Sequence, residues 1–519
     1  MEKTMANDVK LQPPVLVLGA TGYVGARLVP ELLRRGHRVR AGVRSPAKIA
    51  CRPFASHPGF EAVQADVLDP ASLLRAAQGS AAAYYLVHSM RSRPGDFAAA
   101  DKQAAENAAS AFERAGLARV IYLGGLGEAG DDLSDHLRSR REVGEILARG
   151  KTPLTWLRAA MILGSGSASF EILRYLADRL PVLFAPRWVK SACQPIAVSN
   201  VVDYLAGCLE NPATAGLTLD IGGPDVLRYA DLFQLYADVA GLPKRTIVPV
   251  PFFSPALSAY WISLITPVPA GLARPLAEGL RNTVVCRDNR IRELVPVALL
   301  SCREAIGLAL DNIRQHRVDS CWHGAGLVRV PEWAACGDAA YAGGAVRECN
   351  RQIVLGASLE AVWHAVEAIG GEGGWYFGDI LWAARGLADK LLGGAGHDRG
   401  RRHPEQLRLG EALGFWRVAA IEPSRRLLLA AEMRLPGQAL LEFALEAAEG
   451  GTRLRVSARF APRGLAGLAY WYAMAPFHGP LFRGMLRGLA RRLRARILSG
   501  PESFARASRS CAAPGASAK

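Results

Sequence analysis

The residues of this chain with the clearest chemical meaning are three glycines at a spacing of three, Gly19-Ala20-Thr21-Gly22-Tyr23-Val24-Gly25. They follow an apolar run, Val15–Leu18, and precede a helical pattern over 27–35. In that setting each glycine has its own task. Gly19 permits a tight turn, Gly22 lets the backbone approach a pyrophosphate, and Gly25 lets the helix pack close to the strand. The free amides and the dipole at the helix start then hold phosphate oxygens. Thr21, Tyr23 and Val24 complete the turn, so the whole segment is read as the phosphate cradle of a dinucleotide.

The residues that choose the dinucleotide come next. An acidic residue at the end of the second strand would hold ribose hydroxyls. This chain has Arg44 there, with Lys48 close by. A guanidinium pairs with a 2′-phosphate through a charge-assisted fork, so NADP(H) is expected over NAD(H). Plain solvation of Arg44 is the alternative. Asp66 and Val67, after the third strand, are placed to border the adenine. Val87, His88 and Ser89, at the end of the fourth, are placed to reach the nicotinamide, or else form an ordinary strand end.

These positions require a scaffold, and the apolar periodicity supplies one. Strands are predicted at 15–18, 37–43, 60–65, 82–87, 119–123 and 155–158, alternating with helices, including a long Ala-rich one over 97–115. Repeated strand–helix units build a doubly wound parallel sheet, an α/β Rossmann-type fold. Further on, helices are expected over 170–180, 201–210 and 229–240, with a strand over 218–221 and an extended stretch at 194–198.

The pattern changes after about residue 329. A Gly- and Ala-rich stretch, 330–346, reads as a linker. Beyond it the strands look antiparallel: 347–355, 413–421, 426–433, 439–446 and 452–460. In the last, Leu454, Val456, Ala458 and Phe460 fall on one face and Arg453, Arg455, Ser457 and Arg459 on the other, the period of a half-buried strand. Carboxylates of Glu442 and Glu446 are expected to face these arginines across a hairpin. A final helix over 480–498 carries the stripe Phe482, Met485, Leu486, Leu489, Leu493 and Ile497. The tail, 499–519, is expected to be disordered. The organisation is thus 13–329, a linker 330–346, a second domain 347–498, and the tail.

The motif GATGYVG, the stretch Gln64-Ala-Asp-Val-Leu-Asp69 and Gln194-Pro-Ile-Ala-Val198 resemble the atypical short-chain dehydrogenase/reductase superfamily, near its NmrA-like and complex I accessory-subunit branches, over roughly residues 13–320. Gly374-Trp-Tyr-Phe-Gly-Asp379, Phe415-Trp-Arg417 and Tyr470-Trp-Tyr472 with Pro476-Phe-His478 resemble a bacterial family of unknown function of the START/SRPBCC helix-grip class, over roughly 347–497. That second resemblance implies an α+β domain with a cavity for a small apolar ligand between sheet and helix. Trp375, Trp382, Trp416 and Trp471 are read as core or as lining of that cavity.

The chain departs from the first family at one place. Classical members use a Tyr-x-x-x-Lys pair, and His136-Leu-Arg-Ser-Arg140 stands there instead, with Gly124-Gly125 in place of the expected serine. His136 can act as acid or base near neutral pH. Arg140 can hold a substrate carbonyl or the nicotinamide ribose but is a poor proton donor. Alternatively both are an exposed helix start capped by Ser134.

Composition bounds the remaining possibilities. The 519 residues carry a formal net charge of +16, and no Asp or Glu occurs between Gly450 and Pro501. This basic stretch is either a solvated face or an attractor of anions. It matches no nucleic-acid recognition motif, so no nucleic acid partner is expected. The cysteines, among them Cys302, Cys321, Cys336 and Cys349, fit no zinc spacing, so no metal is expected. The opening residues lack the apolar region of a signal peptide, which predicts a cytoplasmic protein. The uncharged segment 247–273 is broken by prolines, which favours a buried or surface-lying course over a spanning helix. With the basic helix at 480–498, it suggests peripheral contact at the inner face of a membrane. Two functions are consistent with all of this: an NADPH-dependent oxidoreductase of an apolar carbonyl, quinone or isoprenoid-like compound, or a non-catalytic NADP(H)-binding sensor or accessory protein.

Overall fold

The computed structural model describes residues 13–50, 52–87, 97–127, 134–250, 254–266, 268, 270–279, 282–315, 346–397, 399 and 401–504. The chain divides into two compact units. One comprises Met1–Ala259 with Gly271–Ala325, the other Tyr260–Ala270 with Gly326–Lys519. The segment 260–270 therefore groups with the C-terminal unit and not with the continuous stretch 13–329 expected from sequence. There, Lys390 Nζ donates to the carbonyls of Leu264 and Thr266. The expected linker, 330–346, lies outside the described residues except for its last position.

The first unit is built on a parallel sheet. Its strands are β1 (Val15–Leu18), β2 (Val39–Val43), β3 (Phe60–Gln64), β4 (Ala82–Tyr85), β5 (Arg119–Gly125), β6 (Leu154–Ala159) and β7 (Thr218–Ile221). They lie in the order β7-β6-β5-β4-β1-β2-β3. All four residues of β1 and all four of β4 are buried, as continuous apolar strands covered on both faces must be. One face is covered by α1 (Gly25–Arg34) and, from the far end of the unit, by Val198–Glu210, through Leu28, Leu32, Val201 and Leu205. The other is covered by α2 (Pro70–Ala77), α3 (Phe97–Arg114) and α4 (Asp135–Arg149). The small side chains of Ala105 and Ala108 let α3 lie close to the sheet, beside Phe112. Asp69 caps α2 by accepting from the amides of Ala71 and Ser72, and these bonds hold its carboxyl below the usual range. Ser134 caps α4 through the Leu137 amide, as its position in the sequence suggests.

The order of the sheet reverses between β1 and β4, because β1 pairs with β2 on one side and β4 on the other. In open α/β sheets, ligands bind at such a switch point, beyond the carboxyl ends of the strands. Of the expected extended stretch 194–198, only Ile196–Ala197 is a strand, and Val198 opens the next helix. The uncharged 247–273 segment is divided among a strand, Thr246–Val250, and helices Pro255–Ile265 and Ala270–Gly279. Among the described residues no helix is long and apolar enough to cross a membrane.

The second unit is an antiparallel sheet with helices. In chain order its elements are β8 (Arg347–Leu355), α5 (Leu359–Glu367), α6 (Asp379–Leu391), β9 (Ala412–Leu413), β10 (Trp416–Glu422), β11 (Arg426–Ala431), β12 (Gly437–Ala448), β13 (Gly451–Pro462), α7 (Gly464–Leu493) and β14 (Ile497–Ser503). The sheet order is β9-β10-β11-β12-β13-β8-β14. Leu454, Val456 and Phe460 point into the core, and the opposite face pairs Arg455 with Glu446 and Arg459 with Glu442, as the alternation predicts. Trp375, Trp382 and Trp416 belong to the same core as Phe415, Phe443 and Met485. Trp375 and Trp382 stack with ring centroids 4.7 Å apart.

Two boundaries differ from the sequence reading. The last helix spans 464–493, not 480–498, and holds Pro476 and Pro480 in its interior. Arg494 adopts a left-handed conformation, φ 50°, which ends a helix by turning the chain away from its axis. The chain then continues as a strand, so Ser499–Ser503 are ordered against β8, with Arg351 opposite Ser503. Ile497 consequently leaves the helical stripe. It sits in β14 opposite Leu355.

Candidate functional site

β1 ends at Leu18, and the chain turns at Gly19 with φ +88°. A Cβ on Gly19 would lie 2.7 Å from the carbonyl oxygen of Leu86, at the end of β4. The turn closes through the Gly22 amide, which donates to the Gly19 carbonyl at 2.9 Å. A Cβ on Gly25 would lie 2.3 Å from that same carbonyl oxygen, so α1 rests directly on the turn. The N-cap residue, Val24, has no side chain that can cap α1, which suits this helix N-terminus to an anionic ligand. Tyr23 lies beneath Arg27, whose guanidinium is 4.2 Å from the ring centroid. Arg27 also donates to the Ser165 carbonyl at 2.9 Å, tying the turn to the chain beyond β6. Val24 packs against the core beside α1. Thr21 is half-buried in the turn. A cradle that glycine alone can line, at a switch point, fits the pyrophosphate of a dinucleotide.

β2 runs beside β1, with Gly42 opposite Leu18. Arg44, two residues on, is exposed and makes no ion pair among the described residues. Lys48 differs: it is buried, on the short helix Ala47–Ala50. After β3, the Asp66 carboxylate accepts from the Leu68 amide at 3.0 Å, and the Val67 carbonyl accepts from Asn107 at 2.9 Å. These bonds fix the loop expected to border the adenine.

Of the residues expected to reach the nicotinamide, His88 and Ser89 lie outside the described residues. His136 lies in the first turn of α4. Arg140, one turn on, is buried and so is not part of an exposed helix start. Its guanidinium donates to the Val87 carbonyl at 3.5 Å, and its own carbonyl accepts from the Tyr122 hydroxyl at 2.9 Å. Burial pushes the Tyr122 phenol up, with the Arg140 charge opposing. Ser139 donates to the buried Asp101 carboxylate at 3.3 Å. Thus Arg140 joins α4 to the chain just beyond β4.

Where classical members carry a serine, Gly124 faces the Trp156 indole. A Cβ on Gly124 would lie 2.6 Å from Trp156 Nε1, and one on Gly144 of α4 would lie 2.4 Å from the same ring. Trp156 Nε1 is buried with no hydrogen-bond partner among the described residues. The sequence reading missed this tryptophan. It also missed Arg158 and Asp220, which face each other across β6 and β7 and pair at 2.6 Å. Asp220 accepts as well from the amides of Arg287 and Asp288. Gln194, noted only within a motif, joins the Gly223 carbonyl to the Cys286 amide. The available signal was a charge inside each of two apolar strands, Leu-Thr-Trp-Leu-Arg and Thr-Leu-Asp-Ile. Cys193, Cys208, Cys286 and Cys302 are pushed up to about 12 by burial, so none is a thiolate nucleophile near neutral pH. Among the described residues no group of three or more His, Cys, Asp or Glu is placed to hold a metal.

Residues 19–162 match the NAD(P)H-binding family model. The chain is 30% identical over 279 residues to ceramide reductase of Caulobacter vibrioides, spanning 52% of this chain and 84% of that protein. The chain belongs to the NAD(P)-binding, atypical short-chain dehydrogenase/reductase family. Residues 343–485 match a protein family of unknown function, DUF2867, and this part is START/SRPBCC-like. A second relative is the chloroplast divinyl chlorophyllide a 8-vinyl-reductase of Zea mays, 30% identical over 223 residues. That match covers 40% of this chain and about half of the maize protein, 55%. Among solved structures, the triphenylmethane reductase of Citrobacter sp. aligns with a TM-score of 0.48 and 18% identity, covering 57% of this chain and 99% of that one. The NADPH-dependent quinone oxidoreductase of Escherichia coli aligns with a TM-score of 0.47 and 19% identity, covering 56% and 98%.

Proposed function

We propose that the chain is an NADPH-dependent reductase of an apolar, lipid-like carbonyl or quinone compound. The observation that carries this reading is Arg44, an exposed cation with no ion pair among the described residues, at the strand end beside the glycine cradle. A 2′-phosphate gives such a guanidinium a partner, whereas ribose hydroxyls do not need it. Bound there, the nucleotide supplies a hydride. The chain's own residues bind and orient: the amides after Gly19 take the pyrophosphate, and Asp66 with Val67 walls the adenine. Arg140, whose guanidinium meets the Val87 carbonyl, is assigned to the ribose or to a carbonyl oxygen of the substrate. His136, which takes the place of the tyrosine, is the group that holds the proton. The lipid class in the name of the Caulobacter relative supports an apolar substrate. The START/SRPBCC-like unit has the matching role of holding that compound, and its buried Trp382 and Trp416 indole nitrogens, without partners among the described residues, suit a polar head on an apolar ligand.

A second reading, a non-catalytic NADP(H)-binding protein, is favoured by the Trp156 indole, which fills the space that a side chain on Gly124, at the serine position, would need. One experiment separates the two. Native mass spectrometry with NADPH and NADH measures the binding preference, and single-turnover oxidation of bound NADPH is then followed with a lipid carbonyl series. Preferential NADPH binding with hydride transfer supports the reductase. Preferential binding with no transfer supports the sensor. Equal binding of both nucleotides removes the role given to Arg44.

A further inference from the structure

Two helices of the second unit turn apolar side chains outward. α6 buries Trp382, Gly386, Asp389 and Lys390. On its opposite side Ile380, Leu387 and Leu391 are exposed, Ile380 by 84%. Ala384 and Ala388 lie between them and are exposed too. The spacing i, i+4, i+7, i+8, i+11 makes this one uncharged stripe running the length of the helix.

The first half of α7 behaves in the same way. Leu465, Tyr472 and Phe477 are exposed, Leu465 again by 84%. From Gly464 to Phe482 there is no Asp, Glu, Lys or Arg. The two helices are antiparallel neighbours. Phe377, which leads into α6, packs over Gly484, where a Cβ would lie 2.3 Å from its ring, and the Arg385 guanidinium lies 6.0 Å from the Tyr470 ring centroid.

The exposed face of α7 then changes character without changing direction. Leu465, Ala469, Tyr472, Pro476 and Pro480 continue at spacings of three and four into Arg483, Arg487 and Arg491, and all of these are exposed. A single helix face thus passes from apolar to cationic, and no carboxylate occurs from Gly450 to Pro501. Apolar patches on this scale mark interaction sites, and the charge identifies the partner. We propose that this face docks on an anionic lipid bilayer. Ile380, Leu387 and Leu465 enter the acyl boundary, while Arg483, Arg487 and Arg491 reach the phosphate headgroups. A second copy of the chain fits less well, because it would bury these arginines against a helix that offers them no carboxylate. The segments that sequence alone pointed to contribute differently. Residues 247–273 are broken into short elements, and the 480–493 stretch spends Phe482, Met485, Leu486 and Leu489 on its own core.

The proposal stands apart from the reductase reading and is tested without nucleotide. The full chain is sedimented with vesicles of phosphatidylcholine, with and without phosphatidylglycerol, at low and high salt. Binding to the phosphatidylglycerol vesicles, weakened by salt, is expected. The double variant Ile380→Glu/Leu387→Glu should lose more than about ten-fold in binding, and Arg483→Glu/Arg487→Glu should lose the preference for phosphatidylglycerol. All four sites are exposed, and circular dichroism checks that the fold is kept. Absence of vesicle binding at low salt, or variants that bind like the parent chain, overturns the proposal. So does a dimer in sedimentation velocity that Ile380→Glu/Leu387→Glu dissociates while vesicles are ignored, a result that gives the face to a second copy.

Discussion

The indole nitrogen of Trp156 occupies the space that a side chain on Gly124 would need, at 2.6 Å from the missing Cβ. Tyr122, opposite Trp156 in the β5–β6 register, packs against it with ring centroids 6.1 Å apart. The glycine and the tryptophan are therefore one feature, and the departure from the usual serine is built into the packing.

This coupling has a direct test. Gly124→Ser alone should destabilise the first unit by about 1–3 kcal/mol through overpacking. In a Trp156→Ala background the same substitution should cost much less. A double-mutant cycle by urea unfolding measures the difference, and additive effects would refute the steric link.

Gly25→Ala should be costly although Ala is the better helix former. Its methyl would press on the Gly19 carbonyl and lift α1 from the turn. Expected outcomes are a loss of about 1–3 kcal/mol and weaker binding of NADPH and NADH alike, read by calorimetry.

Arg44→Asp should act selectively. The residue is exposed and supports no structure among the described residues, so unfolding should shift by less than about 0.5 kcal/mol. NADPH affinity should fall by at least about ten-fold, the worth of one charge-assisted bond. NADH binding should hold or improve. An unchanged preference would take the 2′-phosphate away from this arginine.

In the second unit, Arg399 and Arg417 are both buried and share the Glu432 carboxylate, which Arg417 meets at 2.5 Å. Glu432→Gln leaves two buried cations without their countercharge. A loss of about 3–5 kcal/mol is expected in denaturant unfolding of the intact chain. A loss below about 1 kcal/mol would mean that the arginines find other acceptors.

His478 gives a pH signature. It sits 5.0 Å from the Trp471 ring and 5.8 Å from Phe482, and burial lowers its pKa below the usual 6.5. As pH falls through that ordinary value, the unfolded chain takes up the proton first. This residue's contribution is therefore complete above about pH 6.5 and is lost as pH falls through the lower folded-state value. Between pH 7 and about pH 5 the parent chain should lose melting temperature relative to His478→Phe, which has no proton to take up there. Parallel curves would show that His478 does not titrate differently on folding.

The sequence by itself determined the parts that depend on local chemistry. The glycine turn, the strand–helix alternation and the Ser134 cap are set by neighbours a few residues apart. That the Glu442 and Glu446 carboxylates face the arginine side of the next strand was legible too, because a hairpin sets which faces meet, while the diagonal choice of Arg455 and Arg459 as partners was not, since Arg453 and Ser457 stand directly opposite. Only the tertiary structure decided the rest. Arg158 meets Asp220 and Gly124 meets Trp156 because strands distant in sequence lie side by side in the parallel sheet. Arg140 proved buried, a property of what covers α4 and not of α4 itself. The last helix began sixteen residues earlier than its apolar stripe suggested, since its first half packs through Gly467 and Trp471 and leaves Leu465, Tyr472 and Phe477 outside. Periodicity identifies a face that differs from its opposite, but which face meets the core is settled by the elements that arrive from elsewhere in the chain.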